Sequence, residues 1–171
     1  GTAYNMPMFY PIPAEVPIDE INRVFQQLIE RHESLRTSVC IVDRKPYQRV
    51  HKNIRFQVEN YRNDGIIDFQ TIMPRFIRPF DLEKAPLLRA GVVNVSPVES
   101  VLMVDMHHIV SDGASMNILR EDFVRIVEGR DLPPLRLQYK DFSQWQAGQL
   151  VDGVLKKSEK HWLNVSNGPI P

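Results

Sequence analysis

Cysteine is nearly absent from the sequence, since Cys40 is the only one among 171 residues. A single cysteine excludes an intramolecular disulfide framework and fits a reducing cytosol, so a cytoplasmic location is expected. Its neighbours, Ser38-Val39 and Ile41-Val42, are small or apolar. This setting predicts that Cys40 is a buried small residue of a core and not a nucleophile.

The sequence also lacks an excess of charge of either sign. Lys and Arg total 21, as do Asp and Glu, so the formal net charge is zero. Without a summed positive field, neither nucleic acid nor an anionic membrane surface is an expected partner. No segment approaches the uninterrupted run of about 18 apolar residues that a membrane helix needs, and the first residues lack a signal-peptide pattern. We expect one compact, soluble domain.

The first half of the chain predicts strands and two helices. Apolar residues recur at helical spacing after Pro17, which suits a first helical turn. Asp43-Arg44-Lys45-Pro46 has the chemistry of a turn between two strands. The expected elements, in chain order, are a strand over 6–12, a helix over 17–32, strands over 35–41, 47–51 and 56–61, and a helix over 68–77.

Two valine-rich apolar runs follow, over 87–95 and 98–106, separated by Ser96-Pro97. Such runs are typical of paired antiparallel strands in the interior of a sheet. The second strand leads directly to His107 and His108. A site built on these histidines would therefore lie at the end of a central strand.

A helical pattern begins at Gly113 and stops at Gly129, where glycine can adopt the left-handed conformation that ends a helix. Beyond a stiff, proline-containing connector over 132–135, two more helices are expected over 139–150 and 154–163. This order of elements predicts an α/β (α+β) sandwich with a largely antiparallel sheet flanked by helices.

The adjacent histidines are candidates for proton transfer, because the ordinary pKa of histidine, about 6.5, lies near working pH. Successive side chains of a strand point to opposite faces, so only one of His107 and His108 can face a given cleft. A hydrogen-bonded core histidine is the plain alternative. No Cys/His spacing typical of zinc is present, and Ser111 and Ser115 lack the Gly-x-Ser-x-Gly elbow of a nucleophile. We therefore expect neither a metal site nor a serine nucleophile.

Three motifs carry a resemblance to a known family. Met106-His107-His108-Ile109-Val110-Ser111-Asp112-Gly113-Ala114-Ser115 resembles the signature His-His, three residues, Asp-Gly of the condensation-domain superfamily. Arg31-His32-Glu33-Ser34-Leu35-Arg36-Thr37 resembles the second family motif, and Tyr139-Lys140-Asp141-Phe142-Ser143-Gln144-Trp145 the fourth. The chain is thus similar to the condensation domains of nonribosomal peptide synthetases, of the subtype that joins an L-configured donor to an L-configured acceptor.

The resemblance implies a chloramphenicol-acetyltransferase-like lobe, one of two that enclose a tunnel. Donor and acceptor peptidyl carrier proteins would bring thioesters on phosphopantetheine arms, and no cofactor would be bound directly. An adenylation domain is expected in the same chain. Residues 1–171 are expected to be the amino-terminal lobe, without its first helix and the carboxy-terminal lobe. Such a lobe should be inactive alone, because positioning two thioesters requires both tunnel walls.

By motif position, the resemblance assigns catalysis to His108, as a base, as a group that orients the amine, or as a donor to the tetrahedral intermediate. The amide of Gly113 is a candidate oxyanion donor. His107 is expected to pack behind the loop. Asp112 is expected to pair with Arg36 and brace the loop, since a carboxylate and a guanidinium form parallel hydrogen bonds.

The flanking motifs are expected to play supporting roles. His32 and Glu33 either end a helix in solvent or brace Arg36. The aromatic residues of the fourth motif lie at helical spacing, which predicts core positions for them. They are Tyr139, Phe142 and Trp145.

Three other functions share parts of this pattern. An epimerization domain has the same histidine signature but abstracts an α-proton. A free-standing acyltransferase that uses coenzyme A thioesters would share the fold and the histidine. A docking lobe without chemistry of its own would not need His108.

Overall fold

The computed structural model describes residues 1–62, 68–151 and 156–166. The chain divides into two units, Gly1–Leu135 and Arg136–Pro171, where the sequence predicted one compact domain. The division follows Pro133-Pro134, because consecutive prolines stiffen the chain and remove backbone donors. None of the described helices has the length and apolar character needed to cross a membrane.

The helices and strands match the predicted order. In chain order they are β1 (Asn5–Pro13), α1 (Ile18–Arg31), β2 (Thr37–Val42), β3 (Lys45–Val50), β4 (Glu59–Asn60), α2 (Phe69–Phe76), β5 (Leu88–Asn94), β6 (Glu99–His107), α3 (Gly113–Val127), α4 (Tyr139–Val151) and α5 (Lys156–Val165). A 3-10 turn, Glu33–Arg36, lies between α1 and β2. The strand predicted over 56–61 is much shorter than expected, and the other predicted bounds are close to those observed, except that the predicted start of the last helix, at 154, lies outside the described residues.

β6 lies inside a four-stranded sheet with the order β1-β6-β5-β4. It pairs antiparallel with β1, where Asn5 lies opposite His107, and antiparallel with β5, where Leu88 lies opposite Met106. The short β4 pairs parallel with β5. The prediction of an α/β sandwich with a largely antiparallel sheet is confirmed. The histidine end of β6 therefore has a partner strand on each side.

Helices cover both faces of this sheet. The predicted apolar stripe of α1 is buried in the larger core, together with side chains from β5, β6 and α3. α2 contributes Ile72 and Phe76 to a smaller core on the other face. Side chains of β6 alternate between the two, with Met103 in the smaller core and Val104 in the larger. Full burial of such a side chain stabilises the fold by about 1.5–3 kcal/mol.

β2 and β3 form a separate two-stranded sheet. Asp43 and Arg44 alone connect them, with φ of 50° and 63°, which is the left-handed conformation of a two-residue hairpin turn. Cys40 is only half-buried, so the expectation of a core cysteine is wrong. Burial decreases along β2 from Thr37 to Val42, and Cys40 lies where the strand is leaving the core.

The strand predicted over 56–61 is reduced to Glu59–Asn60 because side chains of α1 bind the preceding backbone. The N–H of Phe56 donates to Gln26 Oε1 at 3.2 Å, and the N–H of Val58 donates to Asn22 Oδ1 at 2.7 Å. A donor that is already bonded to a side chain cannot join a strand ladder.

Candidate functional site

The loop that carries both histidines begins where β6 ends. The N–H of His107 donates to the carbonyl of Leu87 at 3.0 Å, and the N–H of His108 donates to the carbonyl of Tyr4 at 2.8 Å. The chain then turns, with the N–H of Val110 donating to the carbonyl of His107 at 3.1 Å. The backbone of both histidines is therefore fixed by the two neighbouring strands.

The side chain of His107 is half-buried and lies near two aromatic rings. Its ring centroid lies 6.0 Å from that of Tyr4 and 6.2 Å from that of Phe80. Its Nδ1 accepts a hydrogen bond from the N–H of Ile109 at 3.1 Å, so the neutral ring carries its proton on Nε2. Burial, and secondarily the charge of His108, lower the pKa of His107. His107 is therefore held in a neutral form with one ring nitrogen already used.

The side chain of His108, in contrast, is exposed. Its ring forms no hydrogen bond or ion pair with any residue that the structure describes. Both ring nitrogens are therefore available to a substrate. Of the adjacent histidines, His108 is the one that can exchange a proton with a bound group without first breaking an internal contact.

Asp112 caps helix α3 and does not pair with Arg36. Its Oδ1 accepts hydrogen bonds from the N–H of Ser115 at 2.8 Å and from Ser115 Oγ at 2.6 Å. The Oγ bond, followed by the N–H bond, lowers the pKa of Asp112. The expected brace is wrong because the carboxylate is bound by the first turn of its own helix, which is a common role of aspartate.

Arg36 has other partners. Its Nη1 donates to the carbonyl of His51 at 2.6 Å, and its Nη2 lies 3.4 Å from Glu33 Oε1. Nε of Arg36 is buried without an acceptor in the described part of the chain. Arg36 therefore joins the 3-10 turn to the end of the β2–β3 hairpin.

The second motif has a partner that the sequence did not reveal, which is Asp122 of α3. Its Oδ2 accepts a hydrogen bond from Arg31 Nε at 2.8 Å and lies 2.8 Å from His32 Nε2. Burial lowers the pKa of His32, although the bond to Asp122 opposes this shift. His32 thus braces α3 rather than Arg36. The contact links the end of α1 to the helix that follows the histidine loop.

Gly113 is the first residue of α3, and a Cβ built on it would meet no atom within 4 Å among the described residues. The N–H groups of a first helical turn have no acceptor inside the helix and carry the positive end of its dipole. The Gly113 amide therefore has the chemistry required of an oxyanion donor.

An apolar cavity of about 280 Å³ lies between α3 and the face of the sheet that forms the larger core. Met106, which directly precedes the histidines, and Met116, in the first turns of α3, both line it. Arg120 is the charged residue among its described lining. A recess suited to an apolar group therefore reaches Met106, the residue directly before His107.

The aromatic residues of the fourth motif lie in the second unit and are exposed, so the core positions predicted for them are wrong. Phe142 packs against Tyr139, with ring centroids 6.0 Å apart, and against Trp145, at 5.7 Å. The three residues do lie on one helix, as their spacing predicts, but spacing alone does not show whether other side chains cover that face of the helix.

Comparison with known proteins identifies the family. A family model described as "Condensation domain" matches residues 1–171. The chain therefore belongs to the condensation-domain family, which confirms the resemblance.

The relatives are synthases of peptide products. The chain is 48% identical to bacitracin synthase 2 of Bacillus licheniformis over 170 residues, which are 99% of this chain and 6% of that protein. It is 42% identical to surfactin synthase subunit 1 of Bacillus subtilis (strain 168), over 100% of this chain and 5% of that protein. The chain thus spans a small part of the length of these curated relatives, which are multifunctional nonribosomal peptide synthetases.

Solved structures show the same fold at low sequence identity. The epimerization domain from the third module of tyrocidine synthetase B matches with a TM-score of 0.83 and 22% identity, over 99% of this chain and 41% of that one. The condensation domain from Monacolin K polyketide synthase matches with a TM-score of 0.81 and 16% identity, over 98% and 39%. The prediction of a chloramphenicol-acetyltransferase-like fold is confirmed.

Proposed function

We propose that this chain supplies the catalytic histidine of a domain that forms a peptide bond between two carrier-bound thioesters. The observation that carries the proposal is the contrast between the adjacent histidines. His107 is half-buried near two aromatic rings and is hydrogen-bonded through its own ring, whereas the side chain of His108 is exposed and its ring has no hydrogen-bond partner among the described residues. The motif therefore presents one histidine to a substrate.

The reaction joins the acceptor amine to the carbonyl carbon of the donor thioester. The N–C bond forms, the C–S bond breaks, and the proton lost by the amine ends on the departing thiolate. An α-amino group has a pKa of about 8, so part of it is protonated near neutral pH. A neutral His108 ring can accept a proton from the attacking amine, orient that amine, or donate to the tetrahedral intermediate. The amide of Gly113 is the proposed oxyanion donor.

The partners follow from membership in the family and from the named relatives. Donor and acceptor peptidyl carrier proteins would present the substrates on phosphopantetheine arms, which enter as substrates and not as resident cofactors. An adenylation domain in the same synthetase would supply the amino acid, in the cytoplasm. Neither nucleic acid nor a membrane has a part in this reaction.

We further propose that residues 1–171 are the amino-terminal lobe of a two-lobed domain. The matched structures support this, because the chain covers only 41% and 39% of them. Orientation of both substrates supplies much of the rate, so this lobe by itself should form no product. Dipeptide formation from two loaded carrier proteins by the lobe alone would contradict this proposal.

Epimerization is the second candidate, because the tyrocidine epimerization domain has the same fold. The two reactions leave different products. The synthetase that contains this chain should be mixed with a loaded donor and a loaded acceptor carrier protein in deuterated water. Condensation predicts a dipeptidyl thioester on the acceptor without deuterium at either α-carbon. Deuterium at an α-carbon without a new amide bond would instead identify an epimerase.

A further inference from the structure

Asp105 is a buried carboxylate on β6, three residues before His108, and its side chain has no solvent exposure. Its Oδ2 accepts hydrogen bonds from Arg89 Nη1 at 2.9 Å and from Asn5 Nδ2 at 2.7 Å. Arg89 lies opposite Asp105 on β5, and Asn5 lies opposite His107 on β1. The end of β6 is therefore held by side chains from both neighbouring strands.

Arg89 extends this contact to the segment after α2. Its guanidinium also donates to the backbone carbonyls of Phe76 and Pro79, each at 3.3 Å. The same guanidinium lies 3.8 Å from the centroid of the Phe80 ring, and Phe80 in turn packs edge-on against His107. One chain of contacts thus leads from Asp105 through Arg89 and Phe80 to the His107 ring.

Burying such a charged cluster inside a sheet is energetically unfavourable in itself. Taking charges out of water costs more than packing apolar side chains of the same volume, unless the partners are well placed. Oδ1 of Asp105 has no donor in the described part of the chain, so the carboxylate depends on Arg89 and Asn5. A buried pair of this kind imposes one geometry on the strands that it joins, because any other leaves a charge uncompensated.

We propose that Asp105 is a positioning residue for His108. Held by Arg89 and Asn5, Asp105 fixes the last residues of β6 and, through Arg89 and Phe80, the half-buried ring of His107. The direction in which His108 leaves the strand is thereby set. Asp105 does not touch the substrate in this proposal. The inference rests on the function proposed above for His108, and it assigns a role that the histidine signature does not include.

The main test compares Asp105→Asn with a matched control, Ser100→Ala, in the synthetase that contains this chain. Ser100 is also buried on β6, and its Oγ donates to Asn94 Oδ1 of β5 at 2.7 Å, at the end of the strand away from the histidines. Product formation should be measured at several concentrations of loaded acceptor carrier.

Asp105→Asn is expected to lower kcat by about 10- to 100-fold with KM nearly unchanged, because misplacement of a catalytic group costs this much. Ser100→Ala is expected to retain kcat within about twofold, since it removes one ordinary hydrogen bond far from the site. Equal losses in the two variants, or no loss in Asp105→Asn, would overturn the proposal. If both His108→Ala and Asp105→Asn keep full activity, the proposed function itself is contradicted. If Asp105→Asn keeps full activity and His108→Ala loses it, only the positioning role of Asp105 is contradicted.

A second variant covers the case in which Asp105→Asn does not fold. Asn5→Ala removes one donor to Asp105 and leaves the ion pair with Arg89 in place. Asn5→Ala should also lower kcat, by a smaller factor than Asp105→Asn. An unchanged kcat would count against the proposal. In folded Asp105→Asn, NMR of labelled histidines should also show a lower pKa for His107, because the Asp105 charge raises it. An unchanged His107 titration would contradict the proposed contact.

Discussion

The loop over residues 107–113 is held at its two ends by different interactions. At the strand end, buried Asp105 is compensated by Arg89 across the sheet. At the helix end, exposed Asp112 accepts hydrogen bonds from Ser115 within its own helix. Both ends use an aspartate, but only the first aspartate depends on residues that are distant in sequence.

This difference indicates which end of the loop sets the position of the histidines. Water can replace the bonds of an exposed carboxylate, whereas a buried carboxylate that loses its cation has no replacement. The strand end is therefore the fixed end, and His108 is next to it. The helix end is held by hydrogen bonds that water can replace, and it carries the Gly113 amide.

The largest effect is expected from breaking the strand end. Arg89→Met should lower the free energy of unfolding by about 3–5 kcal/mol, because Asp105 stays buried without its cation. Urea unfolding of the chain measures this change, and the matched Ser100→Ala should cost only about 1 kcal/mol. The double variant Arg89→Met with Asp105→Leu should be more stable than Arg89→Met. A double variant no more stable than the single one would show that charge compensation does not hold this end.

A smaller effect is expected at the helix end, where the identity of the cap matters more than its charge. Asp112→Ala should lower the melting temperature by a few degrees at most, and Asp112→Asn should leave it unchanged, because asparagine caps helices as well as aspartate. The effects of Asp112→Ala and Arg36→Ala should add, since no contact joins the two side chains. Two results would instead support the Asp112–Arg36 pair. One is a clear non-additive coupling between the two substitutions, and the other is a decrease in melting temperature in Asp112→Asn as large as in Asp112→Ala.

The smallest expected effect is a change in how the free energy of unfolding depends on pH, and it arises at the His32–Asp122 contact. Because the pKa of His32 is lowered in the folded state, the unfolded chain binds a proton more readily, and stability falls as pH decreases below about 6.5. His32→Gln can donate to Asp122 without titrating. The free energy of unfolding should therefore decrease less between pH 7.5 and 5.5 in His32→Gln than in the unsubstituted chain. Parallel pH profiles would contradict the neutral state of His32.

Local sequence patterns predicted most helices and strands, because the distribution of apolar residues along a segment determines which of its faces is buried. The apolar stripe of α1 is a strong periodic signal, and the valine-rich runs of β5 and β6 are strong signals of interior strands; the stripe becomes a buried face, and both strands are largely buried. The prediction of a strand over 56–61 was wrong in length, because side chains of α1 bind the backbone of this segment. No local sequence pattern shows those contacts. The same limit applies to Cys40, whose burial depends on where β2 leaves the core.

The site was only partly predictable for the same reason. The histidine loop was placed correctly at the end of β6. Asp112 directly precedes a predicted helix, which is a local cap signal, but the resemblance favoured a distant partner, Arg36. The contacts of Asp105 and Asp122 depend on strand register and helix packing, so no local sequence pattern indicates them.

The most direct test compares the two adjacent histidines in the synthetase that contains this chain. With loaded donor and acceptor carriers, His108→Ala should lower the rate of amide formation by about 10²–10⁴-fold, as expected for loss of a general base or acid. His107→Ala should reduce stability and lower the rate per folded molecule by about tenfold, because it removes a positioning contact and not the group that meets the substrate. Full activity in His108→Ala, or an equal loss in a stably folded His107→Ala, would contradict the assignment of His108 as the residue that meets the substrate.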